Sequence, residues 1–285
     1  MGSRGSNRWT IILGLTPFVI MLTLFELVPL GSMMLDSLQS DTGNGFSLTQ
    51  YYSIFSNHFY RQGMINSVLI SLYSGLVGLL AGLAVAYAIT RFAPRSRDLL
   101  LTISNMTSNF AGVPLAFAYI ILLGNNGLFT LLFQVHGHPI LGRFDLYSWT
   151  GLALVYAYFQ IPLAVLLLYP CFYTLKPEWR ESAELLGASS KVFWLKIGFP
   201  VIMPGILGTF SLLFANSMGA YTTAYALVGS NYPLITIQVS SLVAANVLTD
   251  PHQGSALGVI LASLVMFFLW INNTLFSLWK REVLG

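Results

Sequence analysis

Charge is what this sequence has least of. Only 8% of its 285 residues are Asp, Glu, Lys or Arg, against about a quarter in an ordinary soluble domain, so a water-solvated globule is excluded. The single cysteine, Cys171, rules out an intrachain disulfide and a cysteine-rich metal centre. Of four histidines, His136 and His138 share one segment with Asp145, but two ligands without evident third and fourth partners make a poor metal site. No Gly-x4-Gly-Lys-Ser/Thr run occurs, which excludes ATP binding by that route. No catalytic constellation recurs in the apolar runs, so an intramembrane enzyme is not indicated. The net charge of +3 comes from cations scattered in small groups, which argues against a nucleic-acid footprint.

Apolar residues fill the space that charge leaves: 55% are hydrophobic and the mean hydropathy is +0.72. Crossing about 30 Å of hydrocarbon takes about 20 apolar residues. Six runs qualify, near 11–35, 67–89, 99–123, 149–173, 201–228 and 255–278. Continuous runs without period-two alternation predict helices, since lipid leaves every backbone group to be satisfied within the chain. The expected fold is an all-α membrane bundle. The expected organisation is an N-terminal helix and outside loop over 1–66, a core of five spans over 67–279, and a tail over 280–285.

Orientation follows from Lys and Arg. With the N-terminus cytoplasmic, Arg4, Arg8, Arg91, Arg95, Arg97, Lys176, Arg180, Lys191, Lys196, Lys280 and Arg281 all fall inside. Only Arg61 and Arg143 fall outside, a strong bias that predicts both termini in the cytoplasm. The first run is too long for a signal-peptide core and lacks a cleavage site, so it reads as a retained helix. The match of Met1–Ser6 to a myristoylation pattern is read as chance, since one acyl chain adds little to a spanning protein.

Several polar residues lie inside the runs. Asn216, Ser217, Tyr221, Thr222 and Thr223 interrupt the fifth, and Asn105, Ser108 and Asn109 the third. They either line a translocation path or hydrogen-bond between helices, and the sequence leaves both open. Glu26 sits in the first run, where it marks a cation site or snorkels outward. Small residues at spacing four, Ser74-Gly78-Gly82-Ala86 and Gly254-Gly258-Ala262, read as packing faces between helices.

The least apolar segment is 174–200. Pro177 suits a first helical turn, with Glu178 and Glu181 near its positive end. Trp179, Ala183 and Leu186 form a stripe on that helix, and Gly187 looks like its stop. Ser189 or Ser190 can cap a second short helix that Pro200 ends or kinks. Glu181-Ser182-Ala183, Gly187, Ile197 and Phe199-Pro200 resemble the EAA motif (EAA-x3-G-x9-I-x-L-P) of binding-protein-dependent importer permeases powered by an ATP-binding cassette. The departures are Ser182 for Ala and Phe199 for Leu.

The resemblance, over about 67–278, implies a type I permease at the bacterial inner membrane. It implies that Glu181, Ser182, Ala183, Gly187, Ile197 and Pro200 belong to coupling helices docking on an ATPase subunit. Two such subunits would bind ATP and Mg, this chain holding no cofactor. A second permease copy or paralogue and an extracytoplasmic solute-binding protein would complete the assembly, the latter on outside loops containing Asp36, Asp41, Asp145 and Asp250. The stretch 214–230 is similar to polyamine, phosphonate, iron and sulfate branches, and the expected substrate is a polyamine or another small polar solute of the phosphonate, iron or sulfate kind. The competing class, a stand-alone secondary transporter or channel, calls for midplane charges and inverted repeats, and the sequence offers one ambiguous acid and no repeat.

Overall fold

The computed structural model describes residues 6–39, 45–136, 144–244 and 250–284. Arg4, Asp41, His138 and Arg143 lie outside the described residues. The elements, in chain order, are α1 (Ser6–Leu22), a wide π turn (Thr23–Leu27), α2 (Val28–Asp36), α3 (Thr49–Ser56) and α4 (His58–Ile89). They continue with α5 (Pro94–Asn109), α6 (Val113–Leu123), α7 (Leu128–Val135), α8 (Trp149–Tyr173), α9 (Pro177–Leu185) and α10 (Ser190–Phe193). A second π turn (Trp194–Gly198) leads into α11 (Phe199–Met218), α12 (Tyr221–Val228), α13 (Ile235–Ala244) and α14 (Pro251–Leu284). Among the described residues six helical stretches are long and apolar enough to span a membrane: Leu13–Asp36, His58–Ile89, Val113–Val135 (α6 and α7 in succession), Trp149–Tyr173, Ser190–Met218 and Pro251–Leu278. The fold is the all-α bundle expected.

Three expectations are corrected. The third run is not one helix: Pro114 has no N–H to give Phe110, and its ring would strike that carbonyl, so α5 ends and α6 begins anew. The fifth run also breaks, at Gly219–Ala220, between α11 and α12. Conversely, the second short helix of the 174–200 segment is not separate. It runs from Ser190 through the π turn into α11, and Pro200 sits in that helix's first turn without ending it.

Both π turns share a cause. Each lies just ahead of a proline, Thr23–Leu27 before Pro29 and Trp194–Gly198 before Pro200. The pyrrolidine ring crowds the carbonyl four residues back, and widening the preceding turn relieves the clash while the helix continues. Glu26 rides on the first of these turns, exposed.

The chain forms two compact units, each discontinuous in sequence. One comprises residues 1–61 and 238–260. Within it Gln253 accepts from the Tyr60 hydroxyl at 2.9 Å and donates to Ser53 at 2.7 Å, and Gly258 lies where a Cβ would meet Met33 Sδ at 2.8 Å.

The other unit comprises 62–237 and 261–285. Its axis is α8, the most buried of the spans, which packs against α4, α5 and α11. The small-residue face of α4 does what its spacing predicts. A Cβ on Gly78 would stand 2.8 Å from Gln160 Cβ, and one on Gly82 would overlap Ala164 Cβ, so glycine alone permits this approach. Gly205 serves α11 likewise, facing Cys171 Sγ.

Candidate functional site

Two places in this second unit gather the residues that the sequence singled out. The first is the 174–200 segment. Helix α9 ends in a Schellman turn: Gly187 N–H donates to Glu184 O at 3.0 Å and Ala188 N–H to Ala183 O at 2.9 Å. Gly187 holds φ +79°, the left-handed conformation that such a turn requires. Two residues later Ser189 caps α10, its hydroxyl accepting from Val192 N–H at 3.4 Å. The result is a tight helix-turn-helix with a groove of about 390 Å³ between its arms, lined by Ser182, Ala183, Phe193 and Ile197 among others.

Ala183 is buried at the joint, whereas Glu181 and Ser182 face solvent. Leu185 and Leu186 are 89% and 88% exposed, so the apolar tip of the turn has no cover among the described residues. Leu185 was not foreseen, because it falls off the Trp179–Ala183–Leu186 stripe. Arg180 and Glu184 pair at 3.0 Å along α9, an exposed i,i+4 contact of little weight. Pro200 sits in the first turn of α11, just after the π turn, and does not line the groove.

The second place is a cavity of about 600 Å³ where the two broken runs meet. At one break Gly112 takes φ +80° and its N–H donates to Thr223 Oγ1 at 2.8 Å. At the other, Ala220 (φ −75°, ψ 68°) makes an inverse γ-turn, with Tyr221 N–H on Gly219 O at 2.8 Å. The Tyr156 hydroxyl of α8 donates to Ala220 O at 2.8 Å and pins this turn. Unwound backbone at membrane depth is tolerated where protein or a water-filled cavity satisfies it, and here the Thr223 and Tyr156 hydroxyls satisfy the backbone at the two breaks, beside the cavity.

Asn109, Asn216 and Thr222 line this cavity together, joined by Asn105, Ser108 and Thr223, with no charged side chain in its wall. Ser217 and Tyr221 do not line it. Ser217 is buried and shares a hydrogen bond with Ser74 at 2.9 Å, while Tyr221 stacks on Tyr225 with centroids 5.4 Å apart. Sequence reasoning passed over Gln160. It is fully buried on α8, donates to Leu213 O at 2.6 Å, and accepts from Asn216 at 3.4 Å. A glutamine inside an apolar run was the signal available.

A polytopic α-helical bundle with a polar cavity between broken helices, and an exposed helical wedge at one end, is the architecture of a membrane permease. Residues 74–278 match the family described as binding-protein-dependent transport system inner membrane component, and the chain belongs to that family. It is 27% identical to the sulfate transport system permease protein CysT of Escherichia coli K12, over 97% of this chain and 95% of that one. It is 23% identical to the trehalose transport system permease protein SugB of Mycobacterium tuberculosis, over 93% and 91%. In fold it resembles a bacterial ABC transporter involved in the import of the acidic polysaccharide alginate. The TM-score is 0.74 over 98% of both chains, at 15% identity. The protein is thus a multi-pass inner-membrane permease of an ABC importer.

Proposed function

We propose that this chain forms half of a solute path and receives its driving force through the 174–200 wedge. One observation carries the reading: the wedge and the cavity share a single rod. Ser190–Met218 runs unbroken from the Ser189 cap to Asn216, a length of about 40 Å. Pushing on the α9–α10 turn therefore tilts a wall of the cavity, and rigid-body rocking of such rods alternates access. Glu181, Leu185 and Leu186 are offered to one of the two ATPase subunits that hold ATP and Mg. Gly187 keeps the turn rigid. A second permease, identical or paralogous, supplies the other half of the path, and a solute-binding protein delivers cargo at the opposite face. Both termini are cytoplasmic on this reading.

The substrate reading moves away from polyamine. Organic cations are held by carboxylates or aromatic faces, and the cavity wall offers amides and hydroxyls with Phe159 as its one aromatic ring. A relative named for sulfate extends over nearly the whole chain, so a small oxyanion of the sulfate class is favoured. Reconstitution with the ATPase and binding protein tests this: sulfate should stimulate hydrolysis and a diamine should not. Stimulation by the diamine alone would reverse the assignment.

A further inference from the structure

Next to the wedge lies a cavity of about 430 Å³ whose wall carries Arg91, Arg97, Lys176 and Arg180 and no acid. Two of these cations are directed by phenols: Arg91 Nη2 donates to Tyr87 OH and Arg97 Nη1 to Tyr173 OH, both at 2.6 Å. Asp98 stands 3.5 Å from Arg97, and Glu184 pairs with Arg180. Among the described residues no acid pairs with Arg91 or Lys176, so the cavity keeps a net positive charge.

Tyr87, Phe172 and Trp194 form a shared wall with a second groove of about 230 Å³, otherwise lined by Leu83, Ala84, Phe199 and Ile202. Leu83 and Ala84 belong to the membrane-spanning part of α4, and Arg91 follows that helix's last turn. The basic cavity and the apolar groove are thus stacked along the membrane normal, cations at the rim and hydrocarbon within. A free anion would need only the first. The pair has the shape and polarity of a phospholipid, headgroup outermost and acyl chain inward.

We propose that this paired site holds an anionic phospholipid, its phosphate among Arg91, Arg97 and Lys176 and an acyl chain against Ala84 and Phe199. Basic pockets between spanning helices suit such headgroups, and tyrosine and tryptophan mark the level of the interface. The ligand chemistry is independent of the transport reading, on which only the choice of the cytoplasmic leaflet rests. Because Trp194 belongs to the π turn between wedge and rod, a bound lipid would brace the point where force enters the membrane.

The test is native mass spectrometry of the full chain from nanodiscs of phosphatidylglycerol or phosphatidylcholine. Wild type should retain phosphatidylglycerol selectively. Arg91→Gln with Lys176→Gln should weaken retention about thirtyfold, at about fivefold per cation. Ala84→Trp, which fills the apolar groove at an exposed position and leaves the cations intact, should also lower it, with melting in phosphatidylcholine unchanged for both variants. Equal retention of the two lipids overturns the proposal. So does displacement by inorganic phosphate with Ala84→Trp silent, which would make this a plain anion site. Release of the lipid when the ATPase subunits are added would mean that the cations belong to a subunit contact instead, and overturns it as well.

Discussion

Gly112 and Thr223 are 111 residues apart in sequence, yet the backbone N–H of one donates to the hydroxyl of the other at 2.8 Å. This bond ties the break between α5 and α6 to the first turn of α12. It places Asn109 and Thr222 in the wall of one cavity. Thr223→Val keeps the volume but leaves the Gly112 N–H unpaired, at a cost of about 1–3 kcal/mol. Uptake by the assembled transporter should fall, with assembly and basal ATP hydrolysis kept. Unchanged uptake would detach the two breaks from transport.

Gly187 has open space where a Cβ would go, so substitution there probes backbone conformation alone. Gly187→Val should cost about 1–2 kcal/mol through the left-handed φ and abolish stimulation of the ATPase by loaded binding protein. Gly187→Asn, a residue that tolerates that region, should retain most of it. Similar losses in both variants, measured as stimulated hydrolysis, would point to a side-chain effect at the tip instead.

Glu181 is exposed and makes no ion pair among the described residues, so its replacement leaves the fold intact. Glu181→Arg should therefore lower co-purification of the ATPase without lowering the melting temperature. Glu184→Gln, which removes only the exposed pair with Arg180, should cost less than about 0.5 kcal/mol and leave co-purification unchanged. Equal losses from the two changes would mean that α9 is merely unfolding.

Gly82 carries the opposite kind of constraint. A side chain there meets Ala164 in the axis of the bundle. Gly82→Leu should destabilise the protein by about 1–3 kcal/mol or more, seen as aggregation in detergent at temperatures that wild type survives. A stable Gly82→Leu variant would contradict the helix contact between α4 and α8.

Much of this was legible because lipid leaves few choices. Six spans followed from length and hydropathy, and the glycine spacing on α4 correctly gave a packing face. Gly187 was readable as a helix stop because a Schellman turn needs a left-handed residue. The two helix breaks were not read, although Gly112-Val113-Pro114 carries the chemistry for one. Hydropathy averages over a break, and nothing local to Gly219–Ala220 reveals that Tyr156 will hold its carbonyl. Pro200 was expected to end or kink a helix, and of the two it does not end it: the turn before it widens and the helix continues. Ser217 and Tyr221 shared polarity with Asn216 and Thr222, but only the packing against Ser74 and Tyr225 shows which way each one points.

On the function proposed above, solute moves through this chain only when a partner hydrolyses ATP against the 181–187 wedge. Proteoliposomes containing the permease pair, with loaded binding protein added outside, should take up no solute until the ATPase subunits and hydrolysable ATP are supplied. With Glu181→Arg they should stay silent even then. Uptake at the full rate by the permease alone, or unaffected by Glu181→Arg, would contradict that coupling.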